Sequence, residues 1–161
     1  MEKKLSTKTK IRFQDCDPFN HLNNSKYIDY FLNAREDQLI DHYGLDVYEE
    51  ATKYGISWVV GSNQVLYVNP AKNMEEVLIE SQLIKYSSRN LTVEMTMWDT
   101  TKIQIKALIW VNFVHFNLVR KKAHTHEDRF IELFKKVVLP VEQNSFEARG
   151  RFLAVKHARA S

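Results

Sequence analysis

Residues 12–35, RFQDCDPFNHLNNSKYIDYFLNAR, decide how the rest of the chain is read. Polar groups crowd here, where a strand should hand over to a helix. Asp15 and Asp17 sit two apart, so an extended backbone puts both on one face. Pro18 fixes φ and lacks a donor, which ends a strand. Phe19 to Asn24 supplies loop formers and one imidazole, that of His21. Asn24 or Ser25 is placed to cap a helix beginning near Lys26. A carboxylate and a histidine are thereby delivered beside a helix N-terminus, whose free N–H groups favour developing negative charge. Those are most of the groups that acyl transfer requires.

Working outward, residues 25–43 predict a helix, with Ile28, Phe31, Leu32, Leu39 and Tyr43 at three- and four-residue spacing. Tyr27, Tyr30 and Ala34 widen its apolar surface, so it should be wrapped by other elements. Gly44 suits the position that stops it. Upstream, residues 1–5 are expected to fray, and 6–14 alternate weakly as a first strand running into the aspartates. Downstream, Leu45–Tyr54 predicts a single helical turn. Ile56–Val60 and Val65–Val68 predict one strand or two around Gly61-Ser62-Asn63, ended by Asn69-Pro70. Val77–Tyr86 predicts the next strand, turned by Ser87-Ser88-Arg89-Asn90. Leu91, Val93, Met95 and Met97 then alternate with Thr92, Glu94 and Thr96. After a turn at Asp99–Lys102, Ile103 to Phe113 alternates over a long strand. Thr125 and Asp128 have capping-box spacing, ahead of an amphipathic helix carrying Phe130, Leu133, Phe134 and Val137. Residues 142–161 are polar and basic and give no assignment. The order predicts one α+β domain over 1–140, an antiparallel sheet wrapped round one long central helix, plus a short C-terminal helix and a basic extension over 141–161.

A chain of 161 residues can build one good core. Four glycines and three prolines imply few turns and long elements. No apolar run is long enough to span a membrane. The N-terminal MEKKLSTKTK carries charge without an apolar core, unlike a secretory signal, so a cytoplasmic location is expected. The net charge of +3 is too mild to argue for nucleic acid. The densest basic runs, Lys121-Lys122 and Arg149, Arg151, Lys156, Arg159, read as solvated surface or as a local attraction for an anionic ligand. Cys16 is the only cysteine, so no internal disulfide can form.

The gap-free pattern D-x-D-x-x-x-H-x-N-N-x-x-Y, with Arg eight residues after the Tyr, is here Asp15, Asp17, His21, Asn23, Asn24, Tyr27 and Arg35. It resembles the 4-hydroxybenzoyl-CoA thioesterase family of hotdog-fold enzymes. The resemblance implies a hotdog domain that hydrolyses an acyl-CoA, or an acyl carrier protein thioester, without cofactor. It also implies that Asp17 attacks the thioester carbonyl or activates the attacking water. Many family members have Gly before the histidine; this chain has Asn20, which tolerates left-handed φ better than other non-glycines. Open sheet edges in such a domain favour a homodimer or a dimer of dimers.

The remaining roles are assigned from residue chemistry. His21 is a donor to the carbonyl, a ring that positions substrate, or a turn histidine bonded to backbone. Asn23 braces the loop, and Asn24 is a cap or a substrate contact. Tyr27 packs beneath the site, and Arg35 is expected to pair with Asp15, whose burial alone would be costly. Ser87, Ser88 and Arg89 form a hairpin turn that could meet a CoA phosphate. Cys16 lies between two carboxylates, which disfavours its thiolate. Gly61-Ser62-Asn63 lacks the flanks of a nucleophile elbow. His124 and His126 stand near acids explained by a helix start, so no metal is expected. Two competing functions remain: a hotdog domain that binds an acyl thioester without turnover, and an enoyl hydratase, whose Asp–His spacing is one residue longer.

Overall fold

The structure, a computed structural model, describes residues 1–158. The chain forms β1 (Lys4–Lys10), α1 (Tyr27–Tyr43), α2 (Val47–Tyr54), β2 (Ile56–Tyr67), β3 (Glu76–Tyr86), β4 (Asn90–Asp99), β5 (Ile105–Asn117), β6 (Lys122–Ala123), α3 (Asp128–Val137) and α4 (Phe146–Ala158). The strands make one antiparallel sheet in the order β1-β3-β4-β5-β2, with β6 against the end of β5. The sheet curls round α1 in the hotdog arrangement.

Period-two alternation sends Val77 and Ile79 of β3, Val93, Met95 and Met97 of β4, and Ala107, Ile109 and Val111 of β5 into one buried cluster. Tyr27, Phe31 and Ala34 of α1 and Phe130, Phe134 and Val137 of α3 join it. Burying one such large side chain stabilises by about 1.5–3 kcal/mol. Gly44 ends α1 at φ 63°, with its N–H donating to Ile40 O at 3.0 Å.

Several elements differ from the pattern-based expectation. β1 starts at Lys4 rather than fraying, because Leu5 is fully buried and pairs with Ser81. It ends at Lys10, and Phe13–Asp15 forms a single 3-10 turn, so the aspartates do not lie on a strand. α2 is a two-turn helix, capped by the Asp46 carboxylate accepting from Tyr48 and Glu49 N–H. β2 is continuous through Gly61, with a register shift between Val60 and Ser62. β5 begins at Ile105, since the Gln104 N–H is drawn to the Asp99 carboxylate at 2.6 Å. The N-cap of α3 is Glu127 without a side-chain cap, so Thr125 and Asp128 make no capping box.

The largest addition is α4, which lies on the outer face of the sheet. Phe146 and Leu153 cover Trp98, Leu108 and Trp110 there. Gly150 permits close approach, since a Cβ at that position would stand 2.7 Å from a Leu66 methyl. Arg149, expected on solvated surface, instead forks onto Glu94 with contacts of 2.7–3.2 Å. Arg159 lies outside the described residues.

Candidate active site

The turn after Pro18 is built by Asp17. Its Oδ1 accepts the Phe19 N–H at 2.9 Å and the His21 N–H at 3.2 Å, while its own N–H donates to His21 O at 2.8 Å. Asn20 closes the turn at φ 64°, the left-handed conformation that a short polar side chain tolerates. The loop is anchored to the segment before β3. Leu22 N–H donates to Ala71 O at 2.7 Å, and Asn73 N–H to Asn20 O at 3.0 Å. Two bonds hold Asp17 through Oδ1, and Oδ2 carries no protein hydrogen bond among the described residues. The His21 ring nitrogens likewise have no protein partner there.

Asn23, rather than Asn24 or Ser25, is the cap. Its Oδ1 accepts from Ser25 N at 3.0 Å and Ser25 Oγ at 2.9 Å, and its carbonyl accepts from Lys26 N at 2.8 Å. A 3-10 turn over Asn24–Lys26 then leads into α1. The first N–H groups of a helix lack internal partners. Ser25 and Lys26 are satisfied by Asn23, and the Asn24 N–H has no hydrogen-bond acceptor among the described residues.

Asp17, His21 and Asn24 converge on an open cleft of about 220 Å³ whose floor is Tyr27 and whose far wall is Tyr67 to Pro70. Tyr27 is buried, accepts the Ala71 N–H at 3.2 Å, and meets the Tyr67 ring edge-on at 5.1 Å. Tyr67 donates its hydroxyl to Asn24 O at 2.8 Å, tying the end of β2 to the helix entry.

The expected Arg35–Asp15 pair does not form. Asp15 Oδ2 accepts the Tyr30 hydroxyl at 2.7 Å, and the same phenol oxygen accepts the Arg12 N–H at 2.9 Å. Burial and the Asp15 carboxylate together push the Tyr30 hydroxyl up to about 12. Arg35 points the other way, under the sheet, and donates to Ser81 Oγ at 2.9 Å. Tyr30 and Tyr67 are thus supports that sequence reasoning missed. Their spacing marked Tyr30 only as an apolar helix residue, and nothing local placed Tyr67 near Asn24.

Ser87, Ser88 and Arg89 turn β3 into β4, with Ser87 Oγ accepting from Asn90 N at 3.1 Å. They stand at the far end of β3 from the Asp17 loop, about 35 Å away along the strand at ~3.3 Å per residue, so one chain does not bring the two sets together. The Cys16 thiol is raised by burial and by the charges of Asp15 and Asp17, and it donates to Arg12 O at 3.4 Å. Among the described residues no group of three or more His, Cys, Asp or Glu is arranged to hold a metal. His126 spends both ring nitrogens internally: Nε2 accepts from Trp58 Nε1 at 3.0 Å, and Nδ1 donates to Ser87 O at 2.9 Å.

A family model described as the thioesterase-like superfamily matches residues 11–155. The chain is 25% identical over 134 residues to the long-chain acyl-CoA thioesterase FadM of Escherichia coli (strain K12), covering 83% of this chain and 99% of FadM. It superposes on the crystal structure of YbaW from Escherichia coli with a TM-score of 0.71 at 25% identity, over 83% of this chain and 98% of that one. The DHNA-CoA thioesterase of Staphylococcus aureus shares the fold, with a TM-score of 0.76 at 18% identity over 85% of this chain and 91% of that one. No helix among the described residues is long and apolar enough to cross a membrane.

Proposed function

The chain belongs to the thioesterase-like superfamily, and on that premise we propose that it hydrolyses an acyl-CoA thioester to the free acid and CoA, with Asp17 as nucleophile or general base. The observation that carries this reading is the Asp17 carboxylate, fixed through one oxygen by two backbone N–H groups and free at the other, facing the cleft.

As a base, Asp17 takes a proton from water while the water oxygen attacks the thioester carbon; the tetrahedral intermediate then expels CoA thiolate, which picks up a proton. As a nucleophile, Asp17 attacks the carbon itself, releases the thiolate, and water hydrolyses the resulting anhydride. Either route places negative charge on the carbonyl oxygen. The Asn24 N–H and the His21 ring, on residues that line the same cleft, are the donors assigned to receive it. Neither route uses a cofactor. An acyl carrier protein thioester would present the same carbonyl. A long aliphatic acyl group is the first to test, because FadM is named for one.

The working unit is a homodimer, or a dimer of dimers, in the cytoplasm. β2 is a sheet edge with Val59 and Val60 exposed, and an unpaired edge invites a second strand. Antiparallel pairing of two β2 strands would carry the partner subunit's Ser87-Ser88-Arg89 turn toward this chain's Tyr67 end. That is where a CoA phosphate leaving the Asp17 cleft would meet it.

A panel of acyl-CoA esters, aromatic and aliphatic, read with a thiol-reactive dye, tests the activity. Asp17→Asn keeps the Oδ1 acceptor and removes charge and base, so turnover should fall about a hundredfold or more, with little change in substrate affinity or melting temperature. Near-normal turnover in Asp17→Asn would remove Asp17 from the chemistry. Absence of thiol release from every ester, with the ester bound intact, would instead make the domain a binder.

A further inference from the structure

α1, α3 and the inner face of the sheet line a second, partly open cavity, of about 90 Å³, which shares no lining residue with the Asp17 cleft. Its walls are mainly apolar, from Leu91 and Val93 of β4 to Leu133 of α3. Two charged side chains reach it. Glu36 is partly exposed and accepts the Tyr48 hydroxyl at 3.0 and 3.1 Å. Arg35 is only 7% exposed, and the hydrogen bond it makes goes to a neutral group, Ser81 Oγ.

That pairing sets Arg35 apart. Each other buried Lys, Glu or Arg among the described residues has an opposite charge beside it: Glu50 has Arg129, Glu80 has Lys102, Glu94 has Arg149, and Lys106 has Glu75. No carboxylate pairs with Arg35 among the described residues. A buried cation without an anion is costly, and burial pulls this guanidinium down to about 10. A guanidinium offers five N–H donors in a fork matched to a carboxylate; here one is used. A single water needs ~10–15 Å³ of such space, so the cavity exceeds one water severalfold, and its apolar lining suits methylenes better than further waters.

We propose that this cavity binds a short aliphatic carboxylate, with the carboxylate on the Arg35 guanidinium and the chain against Leu91, Val93 and Leu133. The charge satisfies the buried cation, and the chain fills space that α1 and α3 leave open. The site is separate from the reacting groups: it does not depend on hydrolysis at Asp17.

Calorimetric titration of the full chain with sodium butyrate tests this, a probe short enough for the cavity, with 1-butanol as the neutral counterpart. Wild type should bind one butyrate per chain and bind butanol at least tenfold more weakly. Arg35→Met keeps the apolar stem and removes the charge, and should weaken butyrate at least tenfold, as expected for a charge-assisted hydrogen-bonded pair. Val93→Phe fills the cavity from β4 without touching the charge and should abolish binding; it also serves if Arg35→Met does not fold. Asp17→Asn should bind butyrate as wild type does. Absence of saturable binding to wild type, or unchanged binding in either cavity variant, overturns the proposal. Loss of binding in Asp17→Asn overturns it too, by assigning the acid to the cleft. Thiol release by a wild type that binds no butyrate would leave the thioesterase reading standing and this one refuted.

Discussion

Lowering the pH from 6.5 to 4 should cost the fold stability through His115. This side chain is fully buried at the end of β5. Its Nδ1 donates to Ser57 O at 3.1 Å, and its Nε2 is buried without a hydrogen-bond partner among the described residues. The ring is stacked on His126 at 4.8 Å and lies 5.3 Å from the His124 ring. Burial first, and then the two neighbouring imidazoles, pull it down from 6.5 to about 4. Above pH 6.5 the residue is neutral in both folded and unfolded chains and adds no pH dependence. Between 6.5 and 4 the unfolded chain binds a proton that the folded chain refuses, so stability falls as pH falls. The interval spans 2.5 pH units; at ~1.36 kcal/mol each, the loss is about 3 kcal/mol. Urea unfolding followed by tryptophan fluorescence, at fixed protein concentration from pH 7 downward, measures it. His115→Asn keeps a donor near Ser57 O and cannot titrate, so its stability should be lower at neutral pH but flatter with pH. His126 is also depressed by burial, so a smaller slope should remain. Identical slopes in wild type and His115→Asn would refute the reasoning.

Other outcomes follow from the same contacts. Arg149→Met should destabilise by about 3–5 kcal/mol in urea titration, because Glu94, 2% exposed at its side chain, is left charged and buried; the double variant Glu94→Gln with Arg149→Met should recover most of the loss. Tyr30→Phe removes the hydroxyl that joins Asp15 to the Arg12 N–H, and should cost about 1–3 kcal/mol while lowering kcat more than it changes KM. Cys16→Ala should leave thioester hydrolysis unchanged in steady-state assays, since burial and two carboxylates keep the thiol protonated.

The chain by itself determined whatever depends on neighbours a few residues away. Asp17, Asn20, His21, Asn23 and Asn24 fall within eight positions of one another, so their convergence is turn chemistry: an Asp that gathers the following N–H groups, an Asn at φ 64°, an Asn that caps the helix entry. The span of α1 and its stop at Gly44 followed from apolar spacing and one left-handed residue, and the alternation of β4 followed from the period of a strand. Tertiary structure decided everything that depends on what lies opposite. Asp15 took Tyr30 instead of Arg35 because successive helix positions point round the axis: residue 30 faces the loop and residue 35 faces the sheet. The tail gave no apolar pattern of its own, yet it folds as α4 because the outer sheet face offers Trp98, Leu108, Trp110 and the buried Glu94 to cover. An isolated helix of that length is marginal in water. Its stability comes from a surface assembled by strands far away in sequence, and a linear pattern cannot carry that information.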